Sequence, residues 1–220
     1  MTDKPISAPL QIAVANPKGG CGKTTIAAQL AGFFAANRLA TAVVDHDPQR
    51  SLGDWLKCRP KKCYPISLLR SATWQQHAIE FDVVIHDLAA GSPLDDLDTF
   101  APHVHKLLIP IMPSPNDIRA GVRFFMDLNR SGLTDAEWEI GLIANRVKGN
   151  TNYAKVLKSF VEQLNLPLLG QLRDTQNYIK AMDTGITIFD IYSKRVADDL
   201  EHWAPILEWV LQRVDLPLQS

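Results

Sequence analysis

The string Lys18-Gly19-Gly20-Cys21-Gly22-Lys23-Thr24-Thr25 sets two lysines and two hydroxyls around three glycines. Glycines let a backbone curl until successive N–H groups converge on phosphate oxygens. A helix that begins at the end of such a loop adds the partial positive charge of its N-terminus. In that setting Gly19, Gly20, Cys21 and Gly22 form the cradle, and Lys23 reaches the β- and γ-phosphates. The Thr24 hydroxyl ligates Mg²⁺, and Thr25 follows as a further phosphate contact. The chemistry is binding of ATP, or a close relative, with Mg²⁺.

Acids at the ends of two apolar strings complement the loop. Val43-Val44-Asp45-His46-Asp47-Pro48-Gln49 carries carboxylates at i and i+2, which point the same way from an extended chain. The alternative for Asp45 is a cap on the helix that follows. Phe81-Asp82-Val83-Val84-Ile85-His86-Asp87 also ends in an acid. In open α/β sheets ligands bind outside the carboxyl ends of the strands, where these acids fall. His86, inside an apolar string, reads as a satisfied core histidine. Asn145 ends a further apolar run. Its amide can pair with both a ring nitrogen and an exocyclic amine of adenine, or can simply form a turn. Cys58 and Cys63 lack the two further ligands of a structural metal site, so free thiols are expected. Trp55 reads as packing.

These side chains need strands and helices in alternation. Leu10–Ala15 is a short apolar run before the loop, and Thr24–Asn37 has helical spacing. Ala40–Asp45, Phe81–Asp87, Val104–Met112, Trp138–Asn145 and Leu166–Leu172 read as strands. Asp117–Asn129 reads as a helix with Asp117 at its N-cap. Asn152–Leu164 and Val196–Val214 read as helices, and Leu52–His77 is the least clear stretch. The alternation predicts a single α/β domain of residues 10–220. Its mostly parallel twisted sheet would be flanked by helices on both faces, after a flexible arm of residues 1–9. A net charge of −1 excludes a global basic field. No apolar run is long enough to span a membrane, and the start lacks a targeting pattern, which favours the cytoplasm.

Pro17 stands where the ordinary phosphate loop has glycine, and Lys18 precedes the glycine pair. The loop thereby resembles the deviant K-G-G-x-G-K-[ST] loop of the ParA/MinD family of ATPases, most closely the small ParA-type partition and positioning proteins. The resemblance implies a P-loop NTPase fold and an ATP-dependent sandwich homodimer. Lys18 would reach across it to the partner's phosphates, where a second cation neutralises charge on the transferring phosphoryl group. Asp45-His46-Asp47-Pro48-Gln49 is similar to the family's D-x-D-P-Q segment. By that likeness Asp47 orients or activates the attacking water and Asp45 lies near the Mg²⁺ shell. Asp87 matches the aspartate that holds Mg²⁺ through a water. Ala89 replaces a proline common in relatives, while Gly91 permits close approach to the γ-phosphate. Pro113-Ser114-Pro115 resembles the segment before a dimer-interface helix. Asn145-Arg146 is similar to an adenine-proximal pair. Arg173 falls where relatives carry a nucleotide-adjacent arginine, and it could also touch phosphate.

The stretch from Gly141 to Arg195 holds eight basic and four acidic residues. The resemblance makes this the expected patch for non-specific DNA, with Lys148, Lys155, Lys180, Lys194 and Arg195 as contacts. Phosphate contacts alone suffice for that mode. The implied function is an ATPase (ATP and water to ADP and phosphate) that is nucleoid-associated and dimerises on ATP. It would move or place a cargo, namely a plasmid, a chromosome region or a protein assembly. A ParB-like or other adaptor would stimulate hydrolysis. Two alternatives stand beside it. A MinD-like spatial regulator would require a basic amphipathic tail, but residues 196–220 hold five acids against Arg213 alone. A small-molecule ATP-dependent ligase of related fold would require a substrate pocket, and none is legible in the sequence.

Overall fold

The computed structural model describes residues 8–91, 97, 102–133, 138–148, 166–212 and 216. The apolar strings become β1 (Leu10–Val14), β2 (Thr41–Asp45), β4 (Val83–Asp87), β5 (Lys106–Ile111), β6 (Glu139–Val147) and β7 (Leu168–Arg173). A short edge strand, β3 (Ser67–Leu69), lies in the stretch the sequence leaves unclear. Its residues are mostly exposed, so no buried apolar pattern marks it. The seven strands order as β3-β2-β4-β1-β5-β6-β7, and every pairing is parallel.

Parallel neighbours need crossovers, and the helices supply them. Between the strands lie α1 (Lys23–Ala36), α2 (Ser51–Lys57), the single turn α3 (Trp74–His77) and α4 (Pro115–Arg130), while α5 (Gln176–Asp183) and α6 (Ala197–Leu211) follow the last strand. Alternation along β1 divides the core. Leu10, Ile12 and Val14 face a layer containing Ile26, Leu30 and Phe34 of α1 and Trp203 and Ile206 of α6. Ala13 and Ala15 face Trp74 and the Ile118, Phe124 and Leu128 side of α4. Helix α1 is apolar on all sides because it is covered all round, and ten of its residues are buried.

Two expectations change here. Helix α4 begins at Pro115, and its cap is Ser114, whose hydroxyl accepts from the Asp117 N–H at 3.2 Å. Proline at the first helical position explains the earlier start, since its missing N–H would be unbonded there anyway. Helix α6 ends at Leu211. The expected helix Asn152–Leu164 and Lys155 lie outside the described residues, as does most of the N-terminal arm.

Candidate functional site

The loop between β1 and α1 is shaped by two glycines. Gly20 (φ 76°) and Gly22 (φ 98°) adopt left-handed conformations that disfavour any side chain. At Gly22 a Cβ would also sit 2.1 Å from Asn145 Nδ2. Asn145 donates that amide to the Cys21 carbonyl at 2.7 Å, so β6 braces the loop. Asn16, which sequence reasoning passed over, braces it from the other side. Its amide donates to the Pro110 carbonyl at 2.6 Å, and its Oδ1 accepts from the Lys18 N–H at 2.8 Å. Cys21 is a buried thiol, raised by burial, whose Sγ–H donates to the Lys18 carbonyl. The lysine of the loop, Lys23, folds back and donates to the carbonyls of Asn16 (3.1 Å) and Lys18 (3.2 Å). Two carbonyls thus hold the ammonium over the cradle in which phosphate oxygens would replace them.

Lys18 points elsewhere. Its ammonium pairs at 2.7 Å with Asp117 at the start of α4. The lysine side chain is half-buried, and its cation is held outside the cradle by a carboxylate that is only 4% exposed. The sequence offers no signal for that partner, 99 residues on by number and brought near by the β1–β5 pairing.

The acids converge as the sheet edge requires, with Asp45 in register with Asp87 across β2 and β4. Asp87 is 1% exposed, and neither carboxylate oxygen has a hydrogen-bond partner. The Thr24 hydroxyl stands near enough to favour the ionised form without a hydrogen bond of good geometry. Burial dominates and pushes the Asp87 carboxyl up to about 7, with Asp45 and Asp47 adding to the rise and Thr24 and Lys23 opposing it. A divalent cation would relieve such a buried, unbonded acid, so Asp87 and Thr24 fit Mg²⁺. Asp45 is occupied differently. Its oxygens accept from the N–H groups of Asp47 (3.1 Å) and Gly53 (2.9 Å), the latter in the first turn of α2. It is the helix cap that the sequence left open, and none of these contacts turns it toward a metal shell. Asp47 Oδ1 accepts from the Gln49 N–H at 2.9 Å in the turn after β2. Ala90 lies against Gly19, which brings the segment after β4 beside the loop.

His86 is fully buried and bonded as expected of a core histidine, and burial lowers its pKa. Trp55 is packing, 4% exposed, with its indole N–H on the Ile186 carbonyl. Among the described residues no cluster of three His, Cys, Asp or Glu is arranged for a metal, and Cys58 and Cys63 are free.

A cavity of about 250 Å³ opens beside α1, lined by Thr25, Asn145, Arg173, Thr175, Tyr178 and Trp203 among others. Within its lining the Trp203 indole donates to the Tyr178 hydroxyl at 3.0 Å. Arg173 lines this cavity, and its guanidinium is bonded to carboxylates of α6. The guanidinium donates to Asp199 at 2.7 and 3.1 Å and to Asp198 at 3.2 Å. Asp199 is fully buried and its other oxygen accepts from Asn177. The reason is that α6 presents its acidic first turn to β7, and a buried carboxylate demands a cation.

The basic patch is partly spoken for. Lys148 pairs with Asp174 at 3.3 Å. Lys180, on α5, and Lys194 and Arg195 are exposed. The Arg195 carbonyl accepts from Asn177, so the Lys194–Arg195 turn abuts α5.

The chain matches the CobQ/CobB/MinD/ParA nucleotide binding domain over residues 12–188. The maintenance of carboxysome distribution protein A of Halothiobacillus neapolitanus is 27% identical over 190 residues, covering 82% of this chain and 87% of that protein. An ATP complex of a Cyanothece McdA variant shares the fold with a TM-score of 0.72 at 17% identity, covering 97% of this chain and all of that one. The pNOB8 ParA bound to nonspecific DNA has a TM-score of 0.55 at 18% identity, over 72% of this chain and 77% of that one.

Proposed function

We propose that this chain, which belongs to the CobQ/CobB/MinD/ParA nucleotide-binding family, is a Mg²⁺-dependent ATPase that dimerises on ATP and positions a cargo on non-specific DNA. The observation that carries the reading is the division of labour between the two lysines of one loop. Lys23 is 7% exposed and folded over the cradle, whereas Lys18 is half-buried and held away from it on an ion pair with Asp117. A second cation held apart from its own cradle suits a role toward the nucleotide of a facing copy, where it would offset developing charge.

In this reading ATP lies with its phosphates on the loop and its base toward the cavity beside Asn145. The backbone N–H groups, Lys23 and Thr24 bind the phosphates, and Thr24 and Asp87 would hold Mg²⁺. The metal supplies charge neutralisation at the phosphates. Asp47, on the turn after β2, orients the attacking water and accepts its proton, and Asp45 keeps that turn in place. Lys180, Lys194 and Arg195 supply the DNA contacts, because they are exposed on adjoining elements. The likeness to a carboxysome distribution protein favours a protein assembly as cargo over a plasmid or chromosome region.

The MinD-like alternative gains nothing. Trp203, Ile206, Leu207 and Val210 of α6 are buried, so that apolar face is consumed in the fold. No described helix is long and apolar enough to cross a membrane.

Sedimentation with a non-hydrolysable ATP analogue tests the assignment. The wild-type chain dimerises, and Lys18→Ala stays monomeric while still binding the nucleotide. A Lys18→Ala dimer of wild-type strength would sink the cross-subunit role. The DNA arm is read by filter binding, and no ATP-dependent retention of random duplex at low salt would remove it.

A further inference from the structure

The core face behind the acid-bearing strand ends carries a row of polar side chains. Gln11 in β1 and His86 in β4 are 7% and 0% exposed, and His46 follows β2 directly. His46 Nε2 lies 3.1 Å from His86 Nδ1, and His86 Nε2 lies 3.0 Å from Gln11 Oε1. With an amide oxygen that only accepts, His86 must donate from Nε2 and accept at Nδ1, and His46 must donate from Nε2. The row therefore has one direction of donation along its length. It crosses three adjacent strands, β2, β4 and β1, and the Trp74 ring packs edge-on against His86 at 4.6 Å.

Apolar residues flank this row on the same face, Ala13 in β1, Val44 in β2 and Val84 in β4. Desolvating polar groups stabilises less than burying apolar ones, so folding alone does not call for the row. What hydrogen bonds add is orientation. The residue they orient stands between Asp45 and Asp47. The His46 backbone N–H also donates to the Asp87 carbonyl at 3.0 Å, so His46 is tied to β4 through both its backbone and its ring. Asp47 is its immediate neighbour and makes local turn bonds to Asp45 and Gln49.

We propose that His46 and His86 are positioning residues, and that the His46–His86–Gln11 row clamps the turn carrying Asp47 so that its carboxylate keeps a fixed reach toward the phosphate loop. The clamp sets turnover and leaves nucleotide affinity alone, because Lys23, Thr24 and the loop amides bind independently of it. It rests on the hydrolysis reading given above.

Three variants test it. His46→Phe keeps the ring volume and removes the donor. His46→Gln returns an amide donor near the Nε2 position. Gln11→Met severs the far link. His46→Phe should lower kcat for Mg·ATP about ten-fold or more, because small misplacements of a reacting group carry such penalties, with the nucleotide Kd within about two-fold. His46→Gln should recover most of that loss, and Gln11→Met should show the same split at smaller size. Amide hydrogen exchange at residues 46–50 should quicken about ten-fold in His46→Phe and not in His46→Gln. A folded His46→Phe with kcat within two-fold of wild type overturns the proposal. So does a loss of affinity equal to the loss of turnover, or a His46→Gln variant that behaves like His46→Phe. Should His46→Phe fail to fold, Gln11→Met carries the decision on the same readouts. If the wild-type chain does not turn over ATP, the hydrolysis reading fails by itself. Exchange then decides the clamp, with unchanged protection at residues 46–50 overturning it.

Discussion

Asp87 and Asp190 are both shielded carboxylates, and they meet opposite fates. Asp190 receives Arg59 through two bonds of 3.0 Å and accepts from the Thr187 N–H and hydroxyl at 2.8 Å. Burial pushes its carboxyl up, but the Arg59 and Thr187 bonds outweigh burial and hold it below the ordinary range. Asp87 is buried with no hydrogen bond and rises to about 7. The first region straps the connection after α2 to the turn after α5, and Arg59 also lies over Trp55. The second region faces the phosphate loop. One shielded acid is satisfied inside the fold, and the other is left without a hydrogen bond at the edge beside the phosphate loop.

Asp87→Asn should have the largest effect. Turnover of Mg·ATP should fall about 100-fold or more, because the metal loses its anionic anchor. The nucleotide-free protein should gain roughly 1–3 kcal/mol, because folding no longer buries an unpaired charge. Steady-state kinetics and chemical denaturation read the two effects, and a destabilised Asp87→Asn would show that the carboxylate is structural after all. Arg59→Met should do the reverse. Leaving Asp190 buried without its cation should cost about 3–5 kcal/mol, with ATP affinity within about two-fold of wild type. A large loss of affinity in a folded Arg59→Met chain would tie the strap to the site.

The smallest effect is in the pH dependence of stability without nucleotide. For Asp87 the folded pKa lies above the ordinary 3.8, so from about 7 down to about 4 the folded state holds a proton that the unfolded state releases. Stability therefore gains from Asp87 as pH falls through that window, and Asp87→Asn removes the gain. For Asp190 the folded pKa is depressed. Its contribution is fully present above the ordinary carboxylate pKa of about 4 and is lost as pH falls through the folded value. Differential melting curves of the two variants against wild type read both slopes. Identical slopes for Asp87→Asn and wild type between pH 7 and 4 would contradict the raised pKa.

Much of the fold was legible because its signals are local. Strands β1, β2, β4 and β5 are short apolar runs closed by turn-forming residues, and their expected limits agree with the structure to within two residues. Strand β3 escaped because an exposed edge strand needs no apolar face. The expected dimer and its DNA contacts depend on other molecules, so neither was open to the same reading.

The phosphate loop was legible in the residues alone. Glycines at positions 20 and 22, a lysine at 23 and a hydroxyl at 24 act through the backbone between one strand and one helix, so their spacing is their geometry. The sequence likewise placed Asp45 and Asp87 at the ends of two apolar strands, and the sheet order then made those strands neighbours. Which side chains are committed to partners emerged with the packed sheet. Asn145 braces Cys21 across 124 residues of chain, Arg173 turns to Asp199 across 26, and Lys18 turns to Asp117. Charge finds its partner by distance in space, and a linear sequence does not carry that distance until the sheet has formed.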